Sequence, residues 1–277
     1  MGCIVCGSEH LHKDGTRNGK QRYRCIDCGK RFLSEEMVER RSSYMTHFHT
    51  RIKVTPYNKL TRENYCEPTT KICYKIQPLI QTHIDHGRII VPNEMFADAY
   101  HYTEDYVKKE CEDIMYNFDR NMAFLEMLDH EDFDRCLGLY IKQYNFRETN
   151  DLKEVENMNG AYIMVLDEYS QVYIGVSNNI KKRILNHWSR RKEFDLLLYG
   201  NKETSILPID AFGALDTTRL FYLPLKWNET YENEEKLVAE FDRRYSLNRV
   251  AGGIRGDDEA FRMMELIASQ RKRTITD

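Results

Sequence analysis

The stretch GAYIMVLDEYSQVYIG, residues 160–175, contains two apolar runs on either side of a short polar loop. The runs AYIMVL and VYIGV are rich in the β-branched and aromatic residues that occur most often in strands. The loop DEYSQ carries the polar and acidic side chains that are typical of a turn. The pattern therefore predicts an antiparallel β-hairpin.

The segment NIKKRILNHW, residues 179–188, directly follows this hairpin and has the apolar spacing of a helix. Asn179 is a favourable N-cap residue. The apolar stripe consists of Ile180, Ile184 and Trp188. Arg183 and His187 are four residues apart and are therefore neighbours on the helix surface. Further along, RLFYLPL, residues 219–225, predicts a third strand.

Together these residues resemble the GIY-YIG nuclease family. The first triplet of the family stands here as Gly160, Ala161 and Tyr162, with a departure at its middle residue, and the second is intact as Tyr173, Ile174 and Gly175. The spacings are similar as well, with eleven residues from Tyr162 to Tyr173, eight from Gly175 to Arg183 and four from Arg183 to His187. Agreement of several independent spacings is more specific than either triplet alone.

The family also has a glutamate on a later helix, in an E-x-x-L-I pattern, and an asparagine near the end of the domain. The segment ENEEKLVAEFDRRYSLNRVAGG, residues 232–253, places Glu234 before Leu237-Val238 and Asn248 further on. Glu232 and Glu235 remain alternatives, because a shift of helical register would exchange them. The resemblance spans residues 160–253 and implies an α+β fold, with a short central antiparallel sheet flanked by helices. Residues 192–218 form a longer segment than minimal members of the family have.

The resemblance implies a metal-dependent hydrolysis of phosphodiester bonds. Glu234 would hold a catalytic divalent ion, Mg²⁺ or Mn²⁺, through a carboxylate oxygen. Arg183 would donate hydrogen bonds to phosphate oxygens. Tyr162, with Tyr173 and His187, would position and deprotonate the attacking water, and the sequence leaves open which of them accepts the proton. Asn248 completes the set of catalytic residues that the resemblance implies.

Four cysteines near the N-terminus have the spacing of a metal site. They are Cys3, Cys6, Cys25 and Cys28, arranged as two CxxC pairs that are separated by eighteen residues. Each CxxC pair forms a tight turn, a zinc knuckle, that directs both thiolates at one ion. Two knuckles complete a tetrahedral four-thiolate shell, which predicts a structural Zn²⁺ with no open position for chemistry. A disulfide framework is the alternative. The other four cysteines lack this spacing and are expected to be buried small hydrophobes; they are Cys66, Cys73, Cys111 and Cys136.

The segment GTRNGKQRYRCIDCGKRF, residues 15–32, resembles the N-terminal zinc ribbons of bacterial transposases. Residues 3–32 contain seven basic and three acidic side chains. These residues thus have four more basic than acidic side chains. A four-thiolate zinc site carries two negative charges of its own, so the excess of positive charge falls to about two. Contact with DNA is favoured on this basis, while contact with protein remains open. The candidate DNA-binding residues are Arg17, Lys20, Arg22 and Arg24 in the ribbon and Lys181, Lys182, Arg190 and Arg191 after the hairpin.

The length of 277 residues and the changes in composition predict three domains. These are a zinc ribbon at 1–33, a mainly helical middle domain at 34–150 and a GIY-YIG-like nuclease domain at 151–277, with residues 145–159 as a polar linker. Residues 94–135 hold thirteen acidic and four basic side chains, which is unsuitable for DNA contact. No apolar run is long enough for a membrane span or a secretory signal, so a cytoplasmic protein without a membrane partner is expected.

The sequence therefore predicts a DNA endonuclease whose zinc ribbon aids DNA recognition. Restriction or phage defence, homing, repair and mobile-element processing all remain open as its role. One alternative is a non-enzymatic DNA-binding regulator of a mobile element with an inactive nuclease fold. Another is a protein-interaction platform. The oligomeric state is open, and a dimer would allow cleavage of both strands.

Overall fold

The computed structural model describes residues 2–3, 5–6, 8–33, 44–226 and 230–249, with side chains described from 234 onward in the last range. Contacts between residues divide the chain into two units, Met1–Thr55 and Pro56–Asp277. We call them the N-terminal unit and the C-terminal unit. Residues 250–253, the end of the segment that resembles the nuclease family, lie outside the described residues, as does the side chain of Glu232.

The N-terminal unit is built from two small antiparallel sheets. Strands β1 (Leu11–Arg17), β2 (Lys20–Cys25) and β3 (Arg31–Leu33) form the first sheet, and β4 (Tyr44–His47) pairs with β5 (Thr50–Lys53) in the second. Asn18 and Gly19 connect β1 to β2 with φ values of 53° and 74°, which is the left-handed geometry of a tight hairpin turn. The buried core of the first sheet contains Cys3, Cys25 and Phe32.

The C-terminal unit begins with helices. These are α1 (Arg62–Tyr65), α2 (Gln77–Asp85), α3 (Glu104–Glu126) and α4 (His130–Tyr144). Asp129 caps the N-terminus of α4 by accepting hydrogen bonds from the amides of Glu131 and Asp132, at 2.9 and 3.0 Å. Among the described residues, no helix combines the length and the apolar character that a membrane crossing needs.

A four-stranded antiparallel sheet follows, with the strand order β6-β9-β7-β8. Its strands are β6 (Arg147–Thr149), β7 (Gly160–Leu166), β8 (Gln171–Ser177) and β9 (Arg219–Pro224). The structure confirms the predicted hairpin, as β7 and β8, and the predicted third strand, as β9. All seven residues of β7 are buried, which explains its continuous apolar sequence, because both faces of an inner strand are covered.

Two further helices pack on this sheet, α5 (Ile180–Ser189) and α6 (Thr230–Glu240). The side chain of Asn179 accepts a hydrogen bond from the amide of Lys182 at 2.9 Å, so the predicted N-cap of α5 is confirmed. Ile180, Ile184 and Trp188 are buried, as the apolar stripe predicted. The described chain is thus a mixture of small antiparallel sheets and helices, in agreement with the predicted α+β class.

The segment predicted as a linker, residues 145–159, contains a strand instead. Thr149 of β6 lies opposite Leu220 of β9, so this strand satisfies backbone hydrogen-bonding groups of β9 that would otherwise be unpaired. The polar composition was misleading, because β6 is a short edge strand whose Arg147 and Glu148 are exposed.

Helices α3 and α4 pack within the same unit as the sheet. Tyr140 of α4 donates a hydrogen bond to the carbonyl of Leu237 in α6 at 2.7 Å, and Asn117 of α3 donates to the carbonyl of Ser205 at 2.8 Å. The boundary between compact units falls after Thr55, and none falls at residue 150. The division into three domains therefore stays a prediction. Through the two hydrogen bonds above, α4 supports α6 and α3 supports residues 192–218.

Candidate active site

Four of the predicted site residues meet on one face of the hairpin and α5. Tyr162 of β7 lies opposite Gly175 of β8, so Tyr173, two residues before Gly175, is its diagonal neighbour on the same face. The Tyr162 hydroxyl is 2.9 Å from Nε2 of His187, and the ring of Tyr173 packs edge-on against that of His187 with 5.0 Å between centroids. Arg183 lies one helical turn before His187 on α5, and its positive charge acts on both phenols. The sequence spacing thus brings these side chains into contact.

The second triplet ends in Gly175, and the structure shows why this position has no room for a side chain. A Cβ atom at this position would lie 2.4 Å from the Tyr162 hydroxyl oxygen and 2.6 Å from the ring carbon that bears it. The close approach of the Tyr162 ring to the β8 backbone therefore requires glycine.

We expect Gly175→Ala to destabilise the fold by about 1–3 kcal/mol, because the added methyl group must displace a fully buried tyrosine. Thermal unfolding measures this effect. Gly138→Ala is the matched control: Gly138 lies within α4 and a Cβ there meets nothing within 4 Å, so this variant should be neutral or slightly stabilising. Equal melting temperatures for Gly175→Ala and wild type would contradict the packing argument.

The two tyrosines are neutral phenols in this environment. Tyr162 is 0% exposed, and its burial raises the pKa well above the usual value. Burial, followed by the negative charge of Glu234, raises the pKa of Tyr173 to about 12, although Arg183 opposes the shift. Both hydroxyls therefore keep their protons at neutral pH.

His187 has a partner that the sequence did not reveal. Its Nδ1 atom is 2.6 Å from Oδ1 of Asp210, which lies in the short 3₁₀ turn Ile209–Ala211. Burial lowers the pKa of His187 below its usual value, while Asp210 raises it in part. Asp210 belongs to the longer segment 192–218, which we call the inserted segment, and no motif there singled it out.

Glu234 of α6 completes the group of charged residues. Burial raises the pKa of its carboxyl, and the positive charge of Arg183 lowers it in part. Burial is the main cause of the raised pKa values of Tyr162 and Tyr173, and the negative charge of Glu234 adds to it in both. The structure therefore brings Glu234 near the residues of the hairpin and α5.

Asn248 lies behind the site and holds one of its strands. Its Nδ2 donates to the carbonyl of Ile174 at 2.7 Å, and its Oδ1 accepts from the amide of Ile174 at 3.0 Å. Asn248 is only 4% exposed. Its amide thus fixes β8 between Tyr173 and Gly175, while its place among the catalytic residues stays a prediction.

A cleft of about 560 Å³ opens beside these residues. Tyr173, Arg183, His187 and Asp210 line it, together with three basic residues that the sequence did not single out, Lys75, Lys192 and Arg249. The remaining lining is mainly aliphatic. Four basic side chains and one carboxylate at the cleft favour an anionic ligand.

The inserted segment forms one wall of the cleft and is tied to the rest of the C-terminal unit. Arg249 donates to the carbonyls of Ile206 at 2.6 Å and of Leu196 at 3.3 Å, and burial lowers its pKa to about 10. The amide of Cys73 donates to Oδ2 of Asp195 at 2.8 Å, which holds the turn that carries Lys75. These contacts join residues that are far apart in the sequence.

The predicted DNA-binding residues have different surroundings. Arg17, Lys20 and Arg24 are exposed on the first sheet, whereas Nε of Arg22 donates to the carbonyl of Asp14 at 2.8 Å. Lys182 and Arg190 are exposed on and after α5. Lys181 pairs with Glu156 at 3.0 Å, and Arg191 pairs with Glu67 at 2.5 Å. Such surface pairs are weak and do not prevent phosphate contact.

The four N-terminal cysteines form a cluster that could hold a metal ion. Their sulfur atoms all lie within 4.8 Å of one another, and each of the eight cysteines in the chain is a free thiol. The Cys3–Cys28 and Cys6–Cys25 sulfur distances are 3.5 and 3.4 Å. In a tetrahedral four-sulfur site these distances are about 3.8 Å, so the cluster is close to that geometry.

Comparisons of the chain with known protein families, with curated proteins and with solved structures gave no match. The assignment of a function therefore rests on the residues and on the geometry of this site.

Proposed function

We propose that this protein is a metal-dependent DNA endonuclease of the GIY-YIG type, which hydrolyses phosphodiester bonds. The observation that carries the proposal is the contact between Tyr162, Tyr173, Arg183 and His187 beside a basic cleft, with Glu234 close to them. Spacing in the sequence and contact in the structure are separate properties of these residues, and both support the same chemistry.

Arg183 binds the scissile phosphate. Arg183 is an exposed residue, and its side chain lines the cleft beside Tyr173. A planar guanidinium donates two parallel hydrogen bonds to phosphate oxygens and stabilises the charge that develops in the transition state. Lys75 and Lys192, which line the same cleft, neutralise neighbouring phosphates of the strand.

The residues present fit a catalytic divalent ion, Mg²⁺ or Mn²⁺. Glu234 is a partly buried carboxylate, and burial raises its pKa because no full counter-charge compensates it. One hard carboxylate, completed by water and substrate phosphate, is a common way to hold Mg²⁺. The ion would stabilise charge on the leaving oxygen.

His187 accepts the proton of the attacking water. The raised pKa values of Tyr162 and Tyr173 keep both phenols protonated, whereas the lowered pKa of His187 keeps its imidazole neutral and basic at pH 7. His187 and Tyr173 line the cleft, while Tyr162 is covered. Tyr173 therefore orients the water.

The experiment that tests this function incubates the purified full chain with plasmid and genomic DNA and with Mg²⁺ or Mn²⁺. We expect cleavage that requires the metal and stops when EDTA is added. Sequencing of the ends identifies the cleavage sites. If the protein binds DNA but cleaves neither substrate with either metal, the proposal is contradicted and an inactive DNA-binding regulator is favoured.

The four-cysteine cluster holds a structural Zn²⁺ in this proposal, and the exposed basic residues of the first sheet bind DNA. A four-thiolate site contributes folding free energy to a small sheet that has little core of its own. Arg17, Lys20 and Arg24 are exposed on β1 and β2, and β2 ends at Cys25. In this proposal they contact phosphates and take no part in the cleavage chemistry.

We expect the double variant Cys25→Ser, Cys28→Ser to lose its zinc and the ordered structure of the first sheet. DNA affinity should fall and depend less on salt, because each phosphate contact contributes to the salt dependence. Zinc content by atomic absorption and DNA affinity across a salt series measure the two effects. Cys136→Ser, a cysteine of α4 outside the cluster, is the control. Unchanged affinity in the double variant would assign the ribbon to protein contacts.

A further inference from the structure

Asp210 and His187 form a short contact between polar groups of the site. Nδ1 of His187 is 2.6 Å from the Asp210 carboxylate, and Nε2 is 2.9 Å from the Tyr162 hydroxyl. The His187 side chain is 3% exposed and that of Asp210 is 29% exposed. Three side chains from β7, α5 and the inserted segment thus form one chain of hydrogen bonds.

The carboxylate of Asp210 is ionised. Burial raises its pKa, but the hydrogen bond from His187 and the positive charges of Lys192 and Arg183 outweigh this effect, and the pKa lies below the usual value. An ionised carboxylate only accepts hydrogen bonds, so the proton of the neutral imidazole lies on Nδ1. Nε2 then carries the lone pair and accepts the hydrogen bond that the Tyr162 hydroxyl donates.

We propose that Asp210 is a positioning residue that holds His187 as the Nδ1–H tautomer and so presents Nε2 as the proton acceptor of this site. This inference rests on the proposed nuclease function. It also gives the inserted segment a role, because that segment supplies the one carboxylate within hydrogen-bond distance of His187 in the described part of the chain. When Nε2 receives a proton, the imidazolium remains hydrogen-bonded to Asp210, which offsets its positive charge next to Arg183.

The groups that face His187 come from several elements. They are Tyr162 on β7, Tyr173 on β8, Arg183 and Arg190 on and after α5, and Asp210 with its neighbour Lys192 in the inserted segment. Burial has the largest effect and lowers the pKa of His187, Asp210 raises it, and the two arginines lower it. Loss of the Asp210 charge must therefore lower the pKa of His187 further.

The test compares Asp210→Asn, Asp210→Glu and wild type in single-turnover cleavage of plasmid DNA with Mg²⁺ across pH. We expect the rate of Asp210→Asn to fall by about 10²-fold or more, because an amide can donate as well as accept and no longer fixes the tautomer. The acidic limb of its pH profile should move to lower pH, since the pKa of His187 falls. Asp210→Glu restores the carboxylate and should recover part of the rate.

The control is Glu203→Gln, which removes one negative charge from an exposed position of the same inserted segment. Its rate and pH profile should match wild type. Thermal unfolding checks that the Asp210 variants fold. A wild-type rate and an unshifted pH limb in folded Asp210→Asn would overturn the proposal.

Nitrogen-15 NMR of the His187 ring tests the same proposal without any cleavage. In the wild type we expect the proton on Nδ1, and in Asp210→Asn a mixture of tautomers or a proton on Nε2. A wild-type ring protonated on Nε2 would overturn the role of Asp210. If the wild type cleaves no DNA but shows the expected tautomer, the nuclease proposal fails and the contact between Asp210 and His187 stands.

Discussion

Glu234→Gln should abolish metal-dependent cleavage, with a fall in rate of about 10³-fold or more, while DNA binding remains largely intact. The substitution keeps the size of the side chain and removes the charge that would hold the divalent ion. Single-turnover cleavage at saturating DNA measures the rate. Glu235→Gln, a change at the next position of α6, is the matched control and should cleave at a rate near that of wild type.

Glu234→Gln should also affect the stability of the protein, which is measured separately from cleavage. Burial raises the pKa of Glu234 in the folded protein, so the charged form is disfavoured there relative to the unfolded chain. A group with a raised pKa stabilises the fold at low pH and loses this contribution as pH rises through the folded pKa. At neutral pH, replacement of the charged carboxylate by a neutral amide should therefore leave the melting temperature unchanged or raise it.

Binding of Mg²⁺ should raise the melting temperature of the wild type and not that of Glu234→Gln, because a ligand that binds only the folded state stabilises it. Full cleavage by Glu234→Gln, with loss of cleavage in Glu235→Gln, would show that Glu235 is the ligand. A substitution at Glu232 tests the remaining alternative in the same way.

Arg183→Ala should lower the cleavage rate by about 10²–10³-fold, since it removes a charged donor to the phosphate. Arg183→Lys keeps the charge and loses the planar pair of donors, so it should recover only part of this rate. Arg147→Ala removes an exposed arginine from the edge strand β6, outside the cleft lining, and is the control. We expect its rate at saturating DNA to be close to that of wild type.

Thermal unfolding distinguishes a catalytic role of Arg183 from a structural one. Arg183 is an exposed residue, so its loss should change the free energy of unfolding by about 1 kcal/mol or less. If Arg183→Ala melts far below wild type, Arg183 mainly holds the two tyrosines in place and the phosphate contact loses its support.

The sequence alone predicted the elements whose signals are local. The alternation of apolar runs and turn residues predicted β7, β8 and β9, and the N-cap with its apolar stripe predicted α5. A hairpin followed by a helix has little freedom in its geometry, so fixed spacings along it were sufficient to bring Tyr162, Tyr173, Arg183 and His187 together. The four-cysteine cluster was predictable for the same reason, because two short knuckles joined by a hairpin must meet.

The tertiary structure decided what depends on contacts between distant segments. The strand β6 looks like a linker in the sequence, and only its pairing with β9 makes it part of the sheet. Asp210, Lys75 and Lys192 belong to segments without any motif, and Arg249 reaches the cleft by hydrogen bonds to carbonyls more than forty residues earlier. Local propensity and spacing carry no information about such pairs, because their proximity is set by the packing of the whole C-terminal unit. The sequence therefore determined which groups could perform the chemistry, and the packing determined which carboxylate orients the histidine and which charges surround the cleft.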